Sequence, residues 1–554
     1  MHPALEIPEL SYLIFRNLLG DSSHSRLDLL SCCLTCRAFS EPALDLIWKD
    51  LPSVTVMPFA SPSQYETVLN PDDHEYDGTA FSNHLERLKF YGRRVRVMWV
   101  HSKLTPQLLK CIVNLTSNSP SALSPLTCLM STVFPSLTRL NVVLPVSPSF
   151  ENLYDLQIRA FFVPTVKALA LYCGASARYD HLTAALRSVR AVQPSLTSLT
   201  LGPEIISEFN DPPPTTLDDE LSSLIHALPR LKKFQLPPYL ITHPVLTAIV
   251  RMPALEQLAL FHPPYIQWKR SVPAGNTLPV VRESSEDSPS CLFSLEIKST
   301  FDFIPHALYM HPSLTSYISR LSLSCLPPGP RITLKSFFSP TLSSAALGSL
   351  THLSLDFASP TFSVLQPHGL DADFFAPLFA TPFISHLVSF HVRHNAPLDM
   401  AEQDFDAMAR SMPKLESLCL VVIPFMAPRR VRIPASIAAL ASFTTHCPRL
   451  REITLPVNAE TLIIPEAEHF RALAGVHSVA VDMSVSLVGD DVVAVAKVLA
   501  KLFPNRRAQL TSYWADHLRH LQATLKDCSE EGLSGYRATY ARRWRTIGKL
   551  LHQS

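Results

Sequence analysis

Pro194-Ser195-Leu196-Thr197-Ser198-Leu199-Thr200-Leu201 sets three leucines at intervals of three and two behind a proline, and its reading decides the fold. Leu199 and Leu201 are two apart, so a strand through them turns both to one side and Ser198 and Thr200 to the other. The same spacing returns at Leu137-Thr138-Arg139-Leu140-Asn141-Val142, Val166-Lys167-Ala168-Leu169-Ala170-Leu171 and Leu231-Lys232-Lys233-Phe234-Gln235-Leu236. Further copies start at Leu255, Leu292, Ile318, Leu350, Leu387, Leu415, Leu450 and Val476. Half carry a proline two residues ahead: Pro135, Pro194, Pro229, Pro253, Pro413 and Pro448.

The recurring pattern resembles the strand signature of leucine-rich repeats. Starts lie 24 to 37 residues apart, longer than the usual repeat of about 20 to 29. Helices fill the extra length, and the apolar spacing predicts them over Leu217–Leu228, Leu240–Met252, Asp399–Met412 and Ala435–Cys447. One strand with one helix buries too little alone, so neighbours stack into a curved parallel sheet with helices on its convex side. The usual asparagine after the strand is mostly absent, which makes the repeats irregular. A doubly wound α/β domain is the structural rival, and it would carry a glycine-rich first turn that this sequence lacks.

Ahead of the repeats, residues 5 to 51 read as three short helices: Glu9–Leu19, Arg26–Phe39, and a third opening at Pro42. Leu10, Leu13, Ile14 and Leu18 share a face of the first helix, with Phe15 beside it. Ile7-Pro8-Glu9-Leu10, Ile14-Phe15, Thr35-Cys36-Arg37-Ala38-Phe39 and Leu46-Ile47-Trp48-Lys49 together resemble an F-box. The resemblance implies docking on a Skp-type adaptor, and through it a cullin, by Pro8, Leu10, Ile14, Phe15, Leu18, Leu30, Cys36 and Trp48. Glu41-Pro42-Ala43-Leu44-Asp45 is similar to the third helix of many F-box proteins of mushroom-forming fungi. The sequence departs from the family at Phe39, where tryptophan is common, and in a longer polar Leu19–Leu27 stretch. A helical cap on the repeats is the other reading of these residues. Cys33 and Cys36 have the spacing of a zinc pair, but no second pair follows, so both are expected to be packed helix residues.

The expected fold class is α/β. It comprises an N-terminal three-helix F-box (1–51), a linker (52–92), an irregular leucine-rich-repeat solenoid (93–485) and a C-terminal helical region (486–554) that caps it. Arg93–Val100 alternates like an edge strand that opens the sheet. Pro58–Ala80, Asn210–Thr216 and Ser271–Ser290 read as irregular insertions. Helices are expected over Leu510–Lys526 and Leu533–Leu551. Residues 501–554 hold ten lysines and arginines against four acids, while residues 1–51 hold four against seven.

Residues between the apolar strand positions face the concave surface. Its candidate target-binding residues are Arg139, Lys233, Lys298, Arg320 and Arg393 against Glu296, Asp356, Glu452 and Asp482, with His352 and His391 nearby. Such a mixed surface suits a protein partner better than nucleic acid. The whole chain agrees, since 48 lysines and arginines meet 47 acids for a net charge of +1. Proline numbers 48 and glycine 14, so few glycine loops exist to cradle phosphate. The eleven scattered cysteines read as reduced thiols of a cytoplasmic or nuclear protein. Met1–Leu10 lacks the basic region and apolar run of a secretory signal, and the longest uncharged stretches are too rich in serine, threonine and proline for a bilayer.

No Walker loop, GxSxG elbow or HExxH pair occurs, and the histidines form no cluster along the chain. The expectation is a non-catalytic adaptor subunit without cofactor or metal. Its repeats hold a target protein for ubiquitination by a Skp-cullin-F-box ligase. The alternative is a leucine-rich-repeat interaction scaffold that recruits no cullin.

Overall fold

The computed structural model describes residues 7–18, 24–51, 86–100, 130–144, 161–173, 179–192, 195–203, 214–261, 292–299, 317–325, 347–356, 370–394, 398–422, 435–459, 478–481 and 487–502, with 542–543, 546–547 and 549–550. Two compact units emerge, the first within Met1–Glu256 and the second within Cys291–Ser554, to which Gln257–Leu260 also belong.

The first unit opens with three helices, α1 (Pro8–Leu18), α2 (His24–Thr35) and α3 (Arg37–Lys49). Phe15, Leu29, Ala43 and Leu46 close their small core, flanked by Tyr12, Phe39 and Ile47. The rings of Phe15 and Phe39 meet edge to face with centroids 5.3 Å apart. The third helix starts five residues before the expected Pro42. Cys36 has extended backbone and ends the run of α2, so Arg37 opens a new helix and Pro42 lies inside it, buried. This helix runs straight into the strand β1 (Asp50–Leu51).

Strands β2 (Val97–Val100), β3 (Arg139–Leu144), β4 (Ala168–Cys173), β5 (Ser198–Pro203) and β6 (Lys233–Leu236) follow. They pair in parallel and in chain order from β1 to β6. Arg93–Val100 therefore supplies the second strand of the sheet, since Asp50 and Leu51 already pair with Val97 and Met98. Helices α4 (Tyr179–Val192), α5 (Thr215–Ala227) and α6 (His243–Val250) form a layer in which α4 packs on α5 and α5 on α6. Buried Glu220 of α5 ties the first two together through Arg187 (3.1 Å) and Arg190 (3.2 Å). Pro214 caps α5 and Thr215 opens it, so the insertion expected to reach Thr216 ends two residues sooner. The strand β7 (Gln257–Phe261) comes next in the chain.

In the second unit β8 (Ser294–Ser299), β9 (Arg320–Cys325), β10 (His352–Asp356), β12 (Ser389–His394), β14 (Ser417–Val422), β15 (Glu452–Leu455) and β17 (Ser478–Val481) pair in parallel in that order. Short pairs form beside them, β11 (Leu370–Asp371) with β13 (Leu398–Asp399) and β16 (Asn458–Ala459) with β18 (Leu487–Val488). The helices are α7 (Ala372–Phe379), α8 (Glu402–Ser411), α9 (Ile437–His446) and α10 (Val492–Leu502).

Every expected repeat start is followed, two residues on, by a strand. Among the described residues, the apolar residue that opens each motif is buried, as at Leu137, Leu196, Leu231, Leu350 and Leu415. The prolines two residues ahead act through turn geometry. In the turns ending at Leu137, Leu231, Leu415 and Leu450, the amide of that leucine donates to the carbonyl of Phe134, Leu228, Met412 or Cys447. Proline then occupies the position where its fixed φ suits a tight turn. After each turn one carbonyl accepts two successive amides of the next repeat. Arg96 receives Thr138 and Arg139, Thr138 receives Lys167 and Ala168, and Lys167 receives Thr197 and Ser198. The series resumes through Phe293, Ser319, Thr351, Val388 and Glu416 in the second unit. Hydroxyls of Thr138, Thr197, Ser319 and Thr351 donate to the same carbonyls. These repeated arcs and in-order parallel strands make the fold an irregular leucine-rich-repeat solenoid of the α/β class, entered through three helices.

Pro58–Ala80, Ser271–Ser290 and Leu510–Lys526 lie outside the described residues, as does most of Leu533–Leu551. In that last segment Ile547 is buried and Arg543 reaches Asp490.

Candidate functional site

Two surfaces hold the candidate residues. The first is the outer side of the three helices. Ile7, Leu10, Ile14 and Leu18 follow one another at helical spacing along α1, and all are exposed, with Leu10 at 39% and Ile14 at 45%. Leu13 beside them is exposed too, as are Leu27, Leu30 (46%) and Leu34 of α2. Amphipathic helices normally bury such a stripe. Here the inward side belongs to Ser11 and Phe15 on α1 and Leu29 on α2, which leaves the leucines outside.

The residues expected to meet an adaptor therefore fall into two groups. Leu10, Ile14, Leu18 and Leu30 lie on this outer side, and Pro8 opens α1. Phe15 is 4% exposed and builds the core. Cys36 is half-buried between α2 and α3, while Trp48 lays its ring against Tyr91 at 4.7 Å. Tyr91 belongs to a short helix at 86–92 within the expected linker, and Arg94 beyond it is buried against α3. Arg94 bonds Asp45 at 2.8 Å and Glu41 as well, under the ring of Phe90. Gly92 is required there, because a Cβ would stand 2.3 Å from the Val133 carbonyl oxygen. The three helices are thus fixed to the first repeats by ion pairs, ring packing and a shared sheet. Sequence reading missed Ile7, just ahead of α1, and Leu27 and Leu34, which a helical wheel of the expected second helix could have supplied.

The second surface is the open side of the sheet, the strand positions that alternate with the buried leucines. In the second unit three rows cross the strands. The first runs Ser294, Arg320, His352, Ser389, Ser417, Glu452 and Ser478. The second holds Glu296, Ser322, Ser354, His391, Cys419, Thr454 and Ala480, and the third Lys298, Ser324, Asp356, Arg393 and Val421. Expected site residues Glu296, Lys298, Arg320, His352, Asp356, His391, Arg393 and Glu452 all stand in these rows. Asp482 lies outside the described residues. Serine fills many of the remaining places, a bias visible in the sequence once the register is known.

Several of these groups satisfy one another. Arg393 bonds Asp356 at 3.1 Å. His391 Nε2 lies 3.2 Å from Ser389 Oγ and 3.1 Å from Ser417 Oγ, and Ser417 donates to Glu452 at 3.2 Å. The serine proton is directed to the carboxylate, so the imidazole donates to the serine. A nucleophile needs the reverse polarity, with the base accepting from the hydroxyl and the acid behind the base. Burial holds the His391 imidazole below the usual histidine value, against an upward pull from Glu452. Burial also lowers His352, helped by Arg320 and His391 and opposed by Glu416. Its Nδ1 lies 2.8 Å from Thr351 Oγ1, whose own proton goes to the Ser319 carbonyl. Burial pushes the Glu296 carboxyl up, and Lys298 counters it.

In the first unit the corresponding rows are Val97, Arg139, Ala168, Ser198 and Lys233, then Trp99, Asn141, Ala170, Thr200 and Gln235, then Val143, Tyr172 and Gly202. The Trp99 and Tyr172 rings stack with centroids 5.2 Å apart. Tyr172 leans over Gly202, where a Cβ would meet its ring at 2.5 Å. Arg139 and Lys233 are exposed, and Arg139 Nε donates to Asn141 at 3.2 Å.

Among the described residues no group of three or more histidines, cysteines or acids could hold a metal ion. The Cys33 sulfur lies 3.5 Å from the Ser40 hydroxyl. Cys447 is buried, its thiol pushed up to about 12 by desolvation, and it donates to the carbonyls of Ala409 and Met412. No described helix is long and apolar enough to cross a membrane.

No protein-family model matches the chain, and no curated protein matches it. Among solved structures it is similar to the Rad7 and Elc1 complex in yeast, at 15% identity over 80% of this chain and 91% of that chain, with a TM-score of 0.32. It is also similar to the leucine-rich repeat-containing protein LegL7 from Legionella pneumophila, at 15% identity over 67% and 96%, with a TM-score of 0.31.

Proposed function

We propose that this chain is an F-box protein, the target-recognition subunit of a Skp-cullin-F-box ubiquitin ligase. The outer side of α1 and α2 docks the Skp-type adaptor, and the repeat array holds a target protein. The observation that carries the reading is the concentration of exposed large apolar residues on the first two helices and just ahead of them. Ile7, Leu10, Leu13, Ile14, Leu18, Leu27, Leu30 and Leu34 form it, whereas the rest of the described chain adds only Phe90, Tyr317 and Val493. Such a concentration of exposed apolar side chains marks a protein-interaction site. A helical cap would turn those leucines toward the repeats, where Trp48, Tyr91 and Arg94 already make the contact.

The mechanism is proximity. The chain raises the local concentration of target lysines near a conjugating enzyme, and no bond is made or broken by its own groups.

The test is affinity purification of the tagged chain beside Leu10→Asp/Ile14→Asp. Both positions are exposed, so the thermal unfolding of the variant should match the parent. Recovery of adaptor and cullin with the parent and their loss with the variant is the expected result. Failure of the parent to recover an adaptor overturns the ligase reading and leaves an interaction scaffold.

A further inference from the structure

The net charge of +1 conceals a local excess. Arg139 and Lys233 stand in the first open row of the first unit, and Arg96 and Lys167 lie where β2 and β4 begin. All are exposed, and no ion pair engages any of them among the described residues. The open rows of β2 to β6 contain no carboxylate. Glu256, at the corresponding edge position after β6, is occupied by Lys232 at 2.6 Å. Between Arg139 and Lys233 the floor consists of Ala168 and Ser198, small enough for a partner's backbone to come close. Two to four positions further along the strands, on β2 and β4, stands the stacked pair of Trp99 and Tyr172. Aromatic rings next to arginine are the usual composition of a binding hot spot.

We propose that this surface takes an extended acidic segment of the target protein. Its carboxylates pair with Arg139 and Lys233, and a tyrosine side chain between them extends along the strands toward the Trp99–Tyr172 rings. The spacing fits: the two cations are three strand intervals apart, roughly 14 Å at about 4.8 Å per strand, and an extended chain covers that in about four residues. Charge complementarity selects an acidic partner, and protein is favoured over single-stranded nucleic acid by the rings. They stack on each other and Tyr172 sits over Gly202, whereas base binding uses separate exposed ring faces along a basic groove.

The inference rests on the reading of the chain as a target receptor, and one experiment separates the two. Fluorescence anisotropy of the full chain is measured with a fluorescein-labelled peptide that carries two glutamates four residues apart around a Tyr-Pro pair. A glutamine version and oligothymidylate serve as comparisons. The glutamate peptide should bind, and Arg139→Glu/Lys233→Glu should weaken it about tenfold or more, as added salt should also do. Tyr172→Ala should weaken it as well. Lys298→Glu/Arg320→Glu in the second unit should leave it within about twofold. Equal binding of the glutamine peptide, no binding of the glutamate peptide, or its displacement by oligothymidylate each overturns the inference. Adaptor recovery is scored on the same variants: the double reversal should keep the adaptor. Peptide binding by a parent that recovers no adaptor would sink the ligase reading and leave this one standing.

Discussion

The open sides of the two units are built on the same register yet hold charge in opposite ways. In the second unit Arg393 is matched by Asp356, and Glu452 is joined to His391 through Ser417. In the first unit Arg139 and Lys233 face no acid in their rows, and the space near them is taken by aromatic rings and small side chains. A surface whose charges satisfy each other is already compensated and gains little by meeting a charged partner. One with a surplus of a single sign attracts its complement from a distance and is weakened by salt. The lesson is that the charge character of a repeat sheet resides in short blocks of strands, which a chain-wide charge count averages away.

Overpacking the aromatic pair should break the first side of this comparison most severely. Gly202→Val drives a side chain into the Tyr172 ring and should cost about 1–3 kcal/mol, measured by denaturant unfolding, with loss of acidic-peptide binding. Next comes acidification, which should act on the second unit. Its His352 and His391 bind a proton more weakly folded than unfolded. Their contribution is complete above the ordinary histidine value of about 6.5 and is lost as the pH falls below it, because the unfolded chain takes up protons first. A series of melting temperatures between about pH 7.5 and 5.5 should slope downward, and His352→Gln/His391→Gln should flatten it. A parallel slope in that double variant would place the effect elsewhere. The smallest change is expected at the ion pairs. Arg393→Ala should cost about 0.2–1 kcal/mol, since both partners are part-exposed, while Lys233→Ala, at an exposed position, should leave stability unchanged in the same titration.

The repeats were legible because their physics is local. Leu196, Leu199 and Leu201 announce a half-buried strand, and the proline ahead announces the turn, so each expected start gained its strand. Helix boundaries shifted only slightly, as with Thr215–Ala227 for the expected Leu217–Leu228. The N-terminal helices were harder to read. Apolar spacing on α1 shows a stripe and says nothing of whether the stripe turns inward. The core chose Phe15, whose ring meets Phe39 from another helix, a contact no spacing rule within α1 could foresee. Phe15 and Trp48 entered the adaptor set through the F-box resemblance, although their rings are engaged within the chain. The charged residues were found at the right strand positions. Their pairings were not, because Asp356 with Arg393 and Ser417 with Glu452 depend on which repeats become neighbours in the sheet.

The two residues Asp50 and Leu51 set a dimension. They continue α3 and at once pair with Val97 and Met98, while the amide of Arg96 bonds the carbonyl of Lys49. With no free chain between the helices and the first strand, the outer leucines of α1 and the ring of Trp99 behave as parts of one bracket. From β1 to β6 are five intervals, roughly 24 Å. Anything held on those strands would then keep a fixed standoff from whatever grips the helices, its reach set by length and angle.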